Sequence, residues 1–149
     1  MKWITREHPK IDRIACPWLI SRFIDAEAEF LFVHATDVIK IAHDTGATPY
    51  DIHGVELGHD GDMCSFDAFL FRYALTDPAL DKLAIIVRGA DTDHLEIAPQ
   101  SAGLLAISLG LSRNFSNDHE MLKHGMVIYD ALYTWCGELQ SEQHNWKPK

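Results

Sequence analysis

The sequence predicts a single compact α+β domain, mainly α-helical, with about six helices and a small β-sheet. Three observations predict it. At 149 residues the chain fits one domain, long enough to remove well over half of its unfolded surface from water. Apolar residues recur at helical spacing along most of that length, in segments punctuated by cap residues, glycine and proline. The β-branched and aromatic runs are few and short. Composition agrees, since 47% hydrophobic and 23% charged residues are ordinary for a folded globular chain.

Trp3-Ile4-Thr5 reads as a short strand before a turn at His8-Pro9. From Lys10, the positions Ile11, Ile14, Ala15, Trp18, Leu19 and Phe23 recur with helical period, so a helix is expected to about Ile24. Pro17 falls inside it and predicts either a kink or a fresh start with Pro17 at the first helical position, which would put Cys16 just before a helix N-terminus. Glu29 to Val33 is a compact aromatic and β-branched run, expected as a buried strand. Thr36 should cap a helix that turns Val38, Ile39 and Ala42 inward and stops at Gly46. Pro49 to Leu57 reads as a loop with a short strand near Ile52.

A helix from Ser65 carries Phe66, Phe69, Leu70, Tyr73 and Ala74, and Asp77-Pro78 starts the next, with Leu80, Leu83, Ala84 and Val87 inside and a stop at Gly89. Asp91-Thr92-Asp93-His94 follows as an exposed acidic loop. Pro99 opens a helix that is apolar nearly all round and therefore expected at the centre. Asn117 with Glu120 fits a capping pair for the last helix, whose stripe runs Leu122, Gly125, Met126, Tyr129, Leu132, Tyr133 and Cys136. One domain is drawn over residues 1–137, with a polar tail over 138–149 in which Trp146 is a candidate anchor.

Charge narrows the function. Lys plus Arg total 13 against 22 for Asp plus Glu, a formal net charge of −9, and no basic cluster interrupts the chain. Nucleic-acid phosphates and anionic membrane surfaces both call for a positive face, so neither is an expected direct partner. Three widely spaced cysteines with no C-x-x-C pair argue for free thiols in a reducing compartment. The first ten residues hold no apolar segment of the kind a signal peptide needs, and no apolar run is long enough to span a bilayer, so the expected location is cytoplasmic.

The densest polar segment is Val55 to Asp67, with two glycines, four acidic residues, a histidine and a cysteine. It reads either as a functional loop or as a polar surface loop. Within it Glu56 and His59 are candidate ligands for a divalent transition metal, zinc, iron or manganese. One loop rarely fills a coordination sphere, so Asp91 and Asp93, and His119 in the first turn of the last helix, are the expected partners. Calcium through an EF-hand is excluded, because frames starting at Asp60 or Asp91 lack the glycine at position six and the glutamate at position twelve. Arg13, Cys16 and Arg88 are candidate ligand-binding residues. The arginines suit an oxyanion, and a cysteine at a helix N-terminus beside Arg13 would favour its thiolate; the alternatives are ion-pair arginines and a buried core cysteine. No G-x-G-x-x-G, P-loop or G-x-S-x-G pattern occurs, which leaves dehydrogenase, kinase and serine-hydrolase readings without support.

Several blocks in order, Asp12-Arg13-Ile14-Ala15-Cys16-Pro17-Trp18-Leu19-Ile20, Arg22-Phe23-Ile24-Asp25, Glu56-Leu57-Gly58-His59, Cys64-Ser65-Phe66-Asp67, Arg88-Gly89-Ala90-Asp91-Thr92-Asp93 and Asp118-His119-Glu120-Met121-Leu122, resemble the carboxy-terminal domain of the chromate-resistance protein B family. The resemblance covers about Trp3 to Cys136. It implies a chromate-responsive module whose full-length members carry an additional amino-terminal region to which DNA binding is assigned. The expectation is a ligand-sensing or metal-binding module of chromate or oxyanion resistance. Its expected partners are a small oxyanion or metal ion and a separate regulatory protein, with a homodimer also open. A small metal- or thiol-dependent enzyme, with Glu56 as general base, and a protein-interaction domain without a site are the alternatives.

Overall fold

The computed structural model describes residues 1–144, so Trp146 and the end of the polar tail lie outside the described residues. Strand β1 (Lys2–Arg6) lies between β2 (Glu29–Val33) and β3 (Thr48–Pro49) in a parallel three-stranded sheet. The helices are α1 (Asp12–Leu19), α2 (Val38–Thr45), α3 (Ser65–Arg72), α4 (Pro78–Asp91), α5 (Ser101–Asn114) and α6 (Asp118–Thr134). The architecture is the expected α+β domain with six helices and a small sheet.

Period-two alternation divides the sheet between two apolar clusters. Trp3 is fully buried in the larger cluster, where Phe30 and Phe32 of the neighbouring strand join it; Ile4 faces the smaller one with Leu31, Val33, Val38 and Ala42. The third strand is Thr48–Pro49 rather than the expected Ile52 segment. Pro49 has no amide to donate, which an edge position tolerates, and after Tyr50 the chain breaks into turns with Asp51 at φ 49°.

The centre of the domain is α1, not the helix after Pro99. Six consecutive residues from Ile14 to Leu19 are buried, and α1 packs against α3, α4 and α6. Pro17 lies inside α1 and starts no new helix. Its missing amide leaves the Arg13 carbonyl without the usual helical donor, and the next turn widens into a π-helical turn over Ile20–Ile24. The approach to α6 is close. A Cβ on Gly125 would lie 2.4 Å from Ile14 Cγ2, so only glycine lets the two helices meet at this distance. Trp18 donates its indole N–H to Asp130 of α6 at 2.7 Å, satisfying the polar end of a buried ring.

Three further regions depart from expectation. His34 rather than Thr36 accepts at the start of the 3-10 turn before α2, and Ile39 faces solvent. Gly89 does not stop α4. A Cβ there would come within 2.4 Å of Ser101 Oγ, so this glycine serves close packing against α5, and α4 runs two residues further to end on Asp91. Helix α5 buries Leu104 but leaves Ile107 and Leu109 half exposed, because it lies on the flank of the domain. Among the described residues no helix is long and apolar enough to cross a membrane.

Candidate metal centre

Four segments deliver one side chain each to a single point. Asp12 is the first residue of α1, Asp51 sits on the turn after β3, His59 comes from the glycine-rich loop, and Asp91 closes α4. One ligand atom from each of the four lies within 4.8 Å of the others. His59 Nε2 is 2.7 Å from Asp91 Oδ2, 3.4 Å from Asp51 Oδ1 and 3.5 Å from Asp12 Oδ2.

Neighbouring groups fix the carboxylates. The Ser65 amide, at the N-terminus of α3, donates to Asp12 Oδ2 at 2.6 Å, and the Ser65 hydroxyl donates to Asp51 Oδ1 at 2.7 Å. The Asp12 amide donates to Asp91 Oδ1 at 3.3 Å. Arg6 holds Asp51 through its carbonyl at 2.9 Å and its Oδ2 at 3.3 Å, while Arg13 Nε lies 3.5 Å from the same Oδ2. Asp12 is 1% exposed, yet its Oδ1 has no hydrogen-bond partner; the Arg6 Nε is likewise buried and unpaired.

Three carboxylates at one point repel one another, and burial removes the water that would otherwise solvate them. Desolvation pushes Asp12 up to about 8, with the charges of Asp91 and Asp51 acting the same way. Burial and then the charge of Asp51 raise Asp91. Its position at the C-terminus of α4, where the helix dipole is negative, adds to the cost of ionising it. Hydrogen bonding to Asp12 and Asp51 raises His59 to about 10, so at neutral pH a single imidazolium holds the cluster together. The four residues line a cleft of about 290 Å³ with Arg6, Lys10, Arg13 and Leu105.

Of the residues singled out from sequence, His59, Asp91 and Arg13 come together here. Glu56 does not: it faces solvent and pairs with Arg72 at 3.0 Å. Asp93 lies beyond the end of α4 at φ 61° and is exposed, outside the converging set, because the helix extends two residues past Gly89 and turns only Asp91 inward. His119 is also exposed, with its ring set edge-on to Phe32. Arg88 forks onto Asp67 through two hydrogen bonds of 2.8 and 2.9 Å; that carboxylate also accepts the Cys64 amide at the start of α3. Cys16 lies mid-helix and fully buried, and desolvation pushes its thiol well above the ordinary value, opposite to the expected thiolate. Burial does the same to Cys64, whose S–H donates to Asp67.

Asp12 and Asp51 are absent from the sequence-based candidates. Asp12 carries a weak signal, an acid on the first turn of a helix with no other polar reason to be buried. Asp51 carries none, since an aspartate in a turn is ordinary.

The family model described as ChrB, C-terminal domain, matches residues 3–136. Protein ChrB of Cupriavidus metallidurans strain CH34 is 34% identical over 134 residues, which is 89% of this chain and 40% of that protein. The chain thus spans less than half of that relative's length. No solved structure matches.

Proposed function

The chain belongs to the ChrB C-terminal domain family, and on that premise we propose that it is a metal-binding, ligand-sensing module of chromate or oxyanion resistance. In this reading Asp12, Asp51, His59 and Asp91 hold one divalent transition metal. The observation that carries it is the convergence of three carboxylates and an imidazole around a buried, unpartnered Asp12 oxygen. Without a cation that arrangement leaves three carboxylates crowded in a low-dielectric site and one Asp12 oxygen unpaired; a dication offsets the first and supplies a partner for the second. Oxygen-rich donors with one imidazole suit manganese or iron better than the sulfur and nitrogen sets preferred by structural zinc.

Sensing follows from charge. A dication, Lys10 and the two arginines outweigh three carboxylates once His59 is neutral, so the loaded cleft carries two positive charges in excess. Lys10 and the partly exposed Arg6 guanidinium line it, and a tetrahedral oxyanion such as chromate supplies further acceptors for both. Thiol chemistry receives no support from the buried, high-pKa Cys16 and Cys64. The module is assigned to the cytoplasm, where three free cysteines stay reduced.

Elemental analysis of purified protein, followed by calorimetric titration with Mn(II), Fe(II) and Zn(II), tests the reading. One metal per chain is expected, lost in His59→Ala and in Asp91→Asn but retained in Glu56→Gln and His119→Gln. Binding of less than about a tenth of an equivalent, unchanged by His59→Ala, removes the metal site. Titration of the loaded protein with chromate, with Arg6→Met as the weakened variant, then tests the oxyanion step.

A further inference from the structure

We propose that the exposed face of α5 docks a second copy of this chain, the two α5 helices packing antiparallel about a two-fold axis. This inference does not depend on the metal site. From Ser101 to Ser112 the helix contains no charged residue, in a chain with 35 of them and a net charge of −9. Gly103, Ala106 and Gly110 form the crest of its exposed side, flanked by Ile107 and Leu109, which are 50% and 44% exposed.

The fold itself does not call for those two glycines. Nothing lies within 4 Å of a Cβ built on Gly103 or Gly110, and glycine is a poor helix former where no close neighbour requires it. A close neighbour from another molecule would give them a use. Helices approach most closely where small residues on one receive a larger side chain from the other, and Ile107 lies on the same face, midway between Gly103 and Gly110.

Charge decides which molecule that is. Along the chain, exposed Asp93 and Glu96 precede α5, Glu96 on the 3-10 turn that packs against it, and exposed Arg113 falls in its last turn on the same side as Ala106. Among the described residues Arg113 and Asp93 make no ion pair, and Glu96 meets only His94 at 3.3 Å. An antiparallel second copy brings the basic end of each helix to the acidic end of the other and opposes the two helix dipoles. It also joins two strongly acidic molecules through their uncharged stretch, where mutual repulsion is least. A two-fold contact of this kind is self-complementary and closes at two chains. Leu105, which lines the metal cleft, lies on the core-packed side of α5 rather than on this face, so the second copy contributes no ligand to the site.

Sedimentation velocity of the full 149-residue chain from about 1 to 500 μM provides the test. The expected result is a mass that rises with concentration toward twice the 16.9 kDa of one chain. Ile107→Asp and Ala106→Arg, both at exposed positions, are each expected to weaken association at least about tenfold while far-UV circular dichroism stays unchanged. Arg113→Glu should weaken it at low salt, and adding Glu96→Arg should restore it, which a generally sticky surface would not do. A chain that stays monomeric at every concentration leaves the face to some other partner and overturns the proposal. A dimer indifferent to Ile107→Asp overturns it too, and failure of the charge swap to restore association overturns the antiparallel pairing.

Discussion

Metal binding at the four-residue centre should expel at least one proton per ion at pH 7. Ligation needs a neutral imidazole and ionised carboxylates. His59, raised to about 10 by its hydrogen bonds to Asp12 and Asp51, holds its proton at pH 7, and Asp12, raised to about 8 by burial, holds most of its own. If each gives up its proton the release is two; because the groups share one hydrogen-bonded cluster and titrate as a set, one is the lower bound. The apparent affinity should therefore rise about tenfold to a hundredfold per pH unit near neutrality. Calorimetric titration in buffers of different ionisation enthalpy counts the protons directly, as the slope of observed heat against buffer enthalpy. His59→Gln should reduce the count by about one as well as weakening binding. Fewer than about half a proton released, or an affinity flat between pH 6 and 8, would refute the assignment of these residues as ligands.

The same shifts set the stability of the metal-free protein. The folded state of Asp12, Asp91 and His59 keeps protons that the unfolded chain loses, so stability falls as pH rises, Asp12 contributing between its ordinary value and about 8 and His59 between about 6.5 and 10. Thermal denaturation should give a lower Tm at pH 9 than at pH 6, with the gap narrowed by metal and by Asp12→Asn; an equal or higher Tm at pH 9 contradicts the linkage. Asp67→Ala removes the cap of α3 and leaves the Arg88 fork unpaired, an expected loss of about 3 kcal/mol by urea denaturation, whereas a loss below about 1 would show that the pair is dispensable. Gly125→Ala places a methyl group 2.4 Å from Ile14 Cγ2 and should cost about 1 to 2 kcal/mol net of alanine's better helix propensity, lowering Tm by roughly 2–8 °C; a neutral or stabilising result would mean that α1 and α6 part easily.

The class of fold was legible in the residues because it depends on local pattern. The 3.6-residue period marks six helices, Asp77-Pro78 and Asn117 mark two of their starts, and Gly46 in the left-handed region ends one as expected. Boundaries that depend on contact were not legible. Gly89 reads as a stop, yet the packing of Ser101 against it carries α4 on to Asp91, and that shift turns an expected surface carboxylate into a cleft residue. The Pro99 helix looks central on composition, yet α1 took the centre, its six consecutive buried residues packed among α3, α4 and α6.

What the sequence determined by itself is the family, the acidic charge, and His59 as a residue to watch in a dense polar loop. Only the tertiary structure decided which carboxylates His59 meets. Asp12, Asp51 and Asp91 are separated by 39 and 40 residues of chain and share no motif; they meet because a helix start, a turn and a helix end abut. Sequence spacing reports the neighbours a residue has along its own element. A site assembled from four elements exists only through the packing that brings them together, and the same packing excludes Glu56, three residues before His59, by turning it out to Arg72.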